Sequence, residues 1–254
     1  MTLPGKDIQY VLDHQVGVIT LNRPESRNAI TTEMWKALPA VMDNLQECGA
    51  RVLIITGSGD AFASGADLTE LSKLETHEHA AEFWTAIEEC LTRVENSVLP
   101  TIAMINGACI GGGCLLATAC DLRYAASSAN FAIPVARLGI ILDDQSIGRL
   151  VTLVGAAVAK EMIFTGRSLT AEEAERRGLV NQVFSDENLA AEVQKIGAAI
   201  VLNETVALFE AKRAVQRFKA KKAATAKHRK LIIDSYLSIE LRNRVGRILK
   251  ELQD

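Results

Sequence analysis

The stretch Thr101–Asp121, TIAMINGACIGGGCLLATACD, constrains the fold more than any other part of the chain. Ile102–Asn106 reads as a buried strand, and Gly107 breaks it. Gly111, Gly112 and Gly113 then open an apolar helix, CLLATAC. Glycine lacks Cβ, so backbone here can take positive φ and lie against a ligand. A helix that starts at such glycines presents unpaired N–H groups and the positive end of its dipole. That combination cradles negative charge. A second glycine turn, Phe62–Leu68 (FASGADL), follows the apolar run Val52–Thr56. Two such turns, each offering one N–H to a single oxygen, would form an oxyanion hole.

The surrounding chain fits a large soluble domain. Its 254 residues allow a sizeable core. A net charge of −3 carries no nucleic-acid signature. The charge is uneven, because residues 210–254 hold 13 Lys/Arg against 5 Asp/Glu. That excess reads as a solvated helical face or as an attractor of an anionic ligand such as a phosphorylated cofactor. Asn96–Cys120 has no charged residue and is long enough to imitate a membrane span. Pro100, Asn106 and four glycines argue instead for strand, turn and buried helix, so no membrane partner is expected. The five cysteines lack CxxC spacing and no leader-like segment precedes them. Reduced, buried thiols in a cytoplasmic protein are expected, with no metal site.

Local signals supply the elements. Ile8–Val11 and Val16–Asn22 flank a turn at Asp13–Gln15 and predict a hairpin. Thr31 or Thr32 caps a helix whose apolar set is Met34, Leu38, Val41, Met42 and Leu45. A short helix is expected over Leu71–Leu74, a polar mobile segment over Thr76–His79, and a helix over Ala80–Val94. Further strands are expected at Asp121–Ala125, Asn130–Ile133 and Val180–Phe184. Helices are expected at Ser146–Leu153 and Ala156–Phe164. Thr170 and Glu173 form a capping box that opens another. From about Asp186 the chain reads as helical. Strand, strand, helix, repeated and then followed by helices alone, predicts a compact α/β core with a helical appendage.

Four motifs together resemble the crotonase superfamily, the enoyl-CoA hydratase/isomerase family. They are ITLNRPESRNAI at 19–30, FASGADLTEL at 62–71, PTIAMINGACIGGGCLLATACDLRYA at 100–125 and LVGAAVAKEMIFTGRSLTAEEAERRGLVNQV at 153–183. The resemblance implies an α/β fold, a spiral of ββα repeats over residues 1–195. A C-terminal helical region, 196–254, would serve a homotrimer or dimer of trimers. It implies an acyl-CoA thioester as partner, with coenzyme A entering as part of the substrate and no permanently bound cofactor. The thioester oxygen would sit between the N–H groups of Ala66 and Gly112. Ala63, Ser64, Gly65, Leu68 and Gly111 would belong to the surrounding binding loops.

Hydratases of this family use two glutamates, and the corresponding positions here are Leu115 and Val135. Neither side chain transfers a proton, so both join the apolar wall around the acyl group. Asp143 lies eight positions after Val135 and matches an aspartate of the related dienoyl-CoA isomerases. Asp143 therefore has two readings, a catalytic acid–base and a helix cap. Apolar Leu142, Val135 and Leu115 are expected to raise its pKa. Tyr236 is a weaker candidate for the acyl pocket. Two functions compete: a double-bond isomerase acting through an enolate, and a non-catalytic acyl-CoA binder or sensor.

Overall fold

The computed structural model describes residues 6–219 and 230–231. Strands β1 (Ile8–Asp13) and β2 (Val16–Leu21) form the predicted antiparallel hairpin. Its two tip residues, His14 and Gln15, both take positive φ, 44° and 67°. That backbone matches the twist of the flanking strands. A 3-10 turn, Pro24–Ser26, leads to α1 (Thr32–Glu47), where the Thr31 hydroxyl accepts from the Met34 N–H. β3 (Val52–Gly57), β4 (Ala61–Ala63), α2 (Leu68–Leu71) and α3 (His77–Glu95) follow. Then come β5 (Thr101–Ile105), β6 (Ala108–Ile110) and α4 (Gly112–Ala119). β7 (Leu122–Ala126), β8 (Asn130–Ala132), a 3-10 turn over Pro134–Leu138 and α5 (Asp144–Thr165) come next. The last described elements are β9 (Leu169–Thr170), α6 (Ala171–Arg176), β10 (Gln182–Phe184), α7 (Leu189–Val201) and α8 (Thr205–Lys219).

The strands divide into two sheets. One has the order β1-β2-β3-β5-β7-β10, parallel apart from β1; the other runs β4-β6-β8-β9, with β9 antiparallel. Each of the pairs β3/β4, β5/β6 and β7/β8 contributes one strand to each sheet before the chain enters a helix. This is the spiral of ββα repeats that the motifs implied.

β3 is buried along its whole length because both faces of its sheet are covered. Leu53 and Ile55 point into the main core with Trp35, Leu38 and Leu116. Val52 and Ile54 face the other way, toward Leu189 and Val193 of α7. The period of two along a strand divides these residues between two cores.

Several expectations are corrected. The first short helix covers Leu68–Leu71 rather than Leu71–Leu74, because the Asp67 carboxylate accepts from the Thr69 and Glu70 N–H groups and starts it earlier. Thr76–His79 is the beginning of α3, with the Thr76 hydroxyl capping the His79 N–H at 3.1 Å. β4, β6 and β9 are not legible as separate strands, β4 lying partly within the stretch Phe62–Leu68 read as a turn. The two helices expected at Ser146–Leu153 and Ala156–Phe164, by contrast, match the two halves of α5, which Gly155 separates with φ 76° and ψ 161°.

The first compact unit runs through Thr205. The 195/196 boundary falls inside α7, which is continuous and packs on β2, β3, β5, β7 and β10. In the second unit, Arg213 lies over the Phe209 ring, 5.3 Å from its centroid. Tyr236, and the apolar tail residues Ile232, Ile233 and Leu237 on which the expected assembly draws, lie outside the described residues. Among the described residues, no helix is long and apolar enough to cross a membrane.

Candidate functional site

The two glycine turns meet. β4 and β6 pair in parallel, Ala61 with Ala108 and Ala63 with Cys109, so the segments leaving them run side by side. Gly65 has φ 113° and Gly111 has φ 52°, conformations that L side chains resist. A Cβ built on Gly65 would lie 3.6 Å from the Gly112 nitrogen, and one on Gly112 would lie 3.5 Å from the Ala66 nitrogen. Gly113 is forced by contact, since its Cβ would fall 2.5 Å from the Ala63 carbonyl oxygen.

Both N–H groups are left over by the local hydrogen bonding. Ala66 bridges Ile30 in parallel, and the two bonds of that bridge run from Ile30 N–H to Gly65 C=O and from Asp67 N–H to Ile30 C=O. Neither uses the Ala66 N–H. Gly112 is the first residue of α4, where an N–H has no acceptor inside the helix. Two preorganised donors on adjacent turns suit an oxygen on which negative charge develops.

A polar scaffold fixes the first turn. Asn28 is fully buried at φ 55° and donates to the carbonyls of Ser58 and Ala61. Arg23 donates to the Ala29 carbonyl at 2.7 Å and to Asp67 Oδ2 at 2.8 Å. The other Asp67 oxygen caps α2. Burial opposes ionisation of Asp67, but the Arg23 bond and the two N–H donors outweigh it and hold the carboxyl below its ordinary range. Glu70 accepts from both the N–H and the hydroxyl of Thr32 at 2.8 Å, tying α2 to the start of α1. Neither Asn28 nor Trp35 is among the candidates the sequence offers. Trp35 is fully buried, and its ring lies 3.2 Å from where a Gly112 Cβ would stand.

The remaining candidates are distributed as follows. Ala63 is fully buried beneath Gly113. The Ser64 hydroxyl donates to the Ser26 carbonyl at 3.1 Å and its N–H to Arg27 C=O, both scaffold contacts. Leu68 is exposed on the first turn of α2. Leu115 lies in α4 and is buried, and Val135 sits in the 3-10 turn after β8, partly buried against the same core. Both α4 and this turn pack on α5, whose N-cap is Asp143.

Asp143 Oδ1 accepts from the Ser146 N–H at 2.8 Å, so it caps α5. The expected rise in its pKa is corrected. Burial pulls the carboxyl upward, but hydrogen bonding from Ser146 prevails, Arg149 adds to it, and the group is held below its ordinary range. Arg149 is itself buried and pairs with Glu95 at 2.9 Å, joining α5 to α3.

Residues 12–243 match the family model described as enoyl-CoA hydratase/isomerase. A crotonyl-CoA hydratase of Syntrophomonas wolfei is 36% identical over 233 residues, 90% of this chain and 84% of that protein. A short-chain-enoyl-CoA hydratase of Clostridium acetobutylicum is 36% identical over 205 residues, 80% of this chain and 78% of its own length. The crystal structure of an enoyl-CoA hydratase from Bacillus anthracis superimposes with a TM-score of 0.85 at 30% identity, covering 96% of each chain. With the family model spanning most of its length and the glycine turns disposed as described, this chain belongs to the enoyl-CoA hydratase/isomerase family.

Proposed function

We propose that the protein binds an acyl-CoA thioester with the thioester oxygen between the N–H groups of Ala66 and Gly112. The observation that carries this reading is the juxtaposition of the two glycine turns, each with one main-chain donor left over. Deprotonation at the carbon next to a thioester gives an enolate, and two fixed donors stabilise its oxygen more than that of the ground state. The family membership supports coenzyme A as the carrier.

Within that reading, isomerisation of a double bond is favoured over addition of water. A positioned acid or base contributes roughly 10²–10⁴ in rate, and Leu115 and Val135 supply neither. Asp143, at the start of α5, is the carboxylate we assign to proton transfer. Its low pKa keeps it ionised at neutral pH and also makes it a weak base. That weakness, and the use of Oδ1 as a helix cap, favour a second reading in which the protein binds acyl-CoA without turning it over.

Incubation with a panel of enoyl- and dienoyl-CoAs, with products resolved by chromatography and mass spectrometry, separates these outcomes. A shifted double bond supports the isomerase, and a hydrated product refutes the argument from Leu115 and Val135. Binding without conversion supports the second reading. Calorimetry must also show tighter binding of the CoA ester than of the free acid; equal affinities would overturn the thioester assignment.

A further inference from the structure

Arg123, on β7, is 4% exposed, which is unusual for a guanidinium. Its hydrogen bonds run to main-chain carbonyls at the far end of α4. Nη1 donates to Cys120 at 2.7 Å and Ala117 at 3.4 Å, and Nη2 donates to Asp121 at 3.3 Å. Nε donates to the Leu179 carbonyl at 2.8 Å. Cys120 is the C-cap of α4, and Gly112 is its first residue. A permanent cation therefore closes the negative end of the eight-residue helix whose positive end carries the Gly112 N–H.

We propose that Arg123 is a positioning residue for the oxyanion turn, one whose buried charge, acting along α4, stabilises negative charge at the Gly112 N–H. This rests on the thioester reading above. Eight helical residues span roughly 12 Å. A unit charge at that distance in an effective dielectric of about 20 changes the stability of an anion by roughly tenfold. The result is about one unit in the apparent pKa of a bound acid. Burial makes the effect larger than that of a surface arginine, because solvent screens it less.

The probe is acetoacetyl-CoA, whose 1,3-dicarbonyl unit ionises to an enolate that absorbs in the near ultraviolet. A spectroscopic pH titration of the bound ligand reads the potential at the oxyanion turn without requiring turnover. The wild-type protein is expected to lower the enolisation pKa relative to free ligand. In Arg123→Gln, which keeps amide donors for the carbonyls, that pKa should rise by about one unit relative to wild type. Affinity for saturated butyryl-CoA should stay within about twofold, because that ligand develops no enolate. Arg123→Lys retains the charge and should stay within about 0.3 unit of wild type.

A folded Arg123→Gln variant with the wild-type pKa would reduce Arg123 to a packing residue and overturn the proposal. So would an Arg123→Lys variant that shifts by a full unit, and this arm decides the matter if Arg123→Gln does not fold. Failure of wild type to bind acetoacetyl-CoA, or to perturb its enolisation, would overturn the thioester reading itself and this inference with it.

Discussion

Replacing Gly113 by alanine tests the contact that sets the two glycine turns together. The added methyl would stand 2.5 Å from the Ala63 carbonyl oxygen and 2.7 Å from Ala63 Cβ. Ala63 cannot yield easily, since it belongs to β4 and pairs with Cys109 of β6. The strain must instead move α4 away from β4. Overpacking of this kind costs about 1–3 kcal/mol, which lowers Tm by roughly 2–12 °C for a chain of this size. The displacement also separates the Gly112 N–H from that of Ala66, and misplacement of about 1 Å at a reacting centre costs roughly 10²-fold in rate. Gly148→Ala is the control. It lies inside α5 with nothing within 4 Å of the new Cβ and no positive φ, so it should stabilise by about 0.5–1 kcal/mol. Differential scanning calorimetry of both variants, with acyl-CoA titrations, checks the pair. An unchanged Tm and unchanged affinity in Gly113→Ala would refute the argument that this contact holds the site.

Asp143→Asn keeps the shape of the cap; isomerase turnover should fall by roughly 10²-fold or more while acyl-CoA affinity stays close to wild type, Tm at pH 7 should fall because the depressed carboxyl pKa is itself a stabilising contribution, and full activity would leave Asp143 only a structural role. The carboxyl of Asp67 is held low, so its stabilising contribution is complete above the unfolded carboxylate pKa of about 3.9 and disappears as pH falls through the lower folded value. Asp67→Asn should therefore lower Tm at pH 7, with the gap to wild type closing in acid; a gap independent of pH would contradict this sign. Hydration of crotonyl-CoA by the unmodified chain should be slow. Leu115→Glu combined with Val135→Glu should raise it, and either change alone should do little, as product analysis would reveal. Light scattering at micromolar concentration should give three or six times the 27.5 kDa chain mass, and a monomer would contradict the expected assembly.

Much of the fold is written locally. The hairpin, the Thr31 cap, the Thr170–Glu173 capping box and the helical faces of α1 and α3 depend on residues within a few positions of one another, and each matches its sequence signal. The glycine helix was legible for the same reason: Gly111–Gly113 followed by an apolar run has few other local solutions. β4 and β6 adjoin glycine turns that mask them and β9 is only two residues long, so these strands exist because neighbouring strands supply their partners. The start of α2 follows from a local cap, the Asp67 carboxylate, whose second oxygen is fixed by Arg23, 44 positions away.

The candidate site divides in the same way. The sequence by itself determined that two turns would each expose backbone, and that Leu115 and Val135 bring no ionisable group. Tertiary structure decided that the turns lie side by side, since this depends on β4 pairing with β6 across more than forty residues. It also decided the state of Asp143. Apolar neighbours along the chain predict a raised pKa, yet hydrogen bonding from Ser146, with the N–H at 2.8 Å, and the nearby Arg149 charge together outweigh partial burial. A direct hydrogen bond to the charged form is strong at short range, whereas partial burial leaves some hydration of that charge in place. Arg123 is held both ways: its bonds to Ala117, Cys120 and Asp121 span two to six positions, whereas its Nε bond to Leu179 spans 56 and exists only in the tertiary structure.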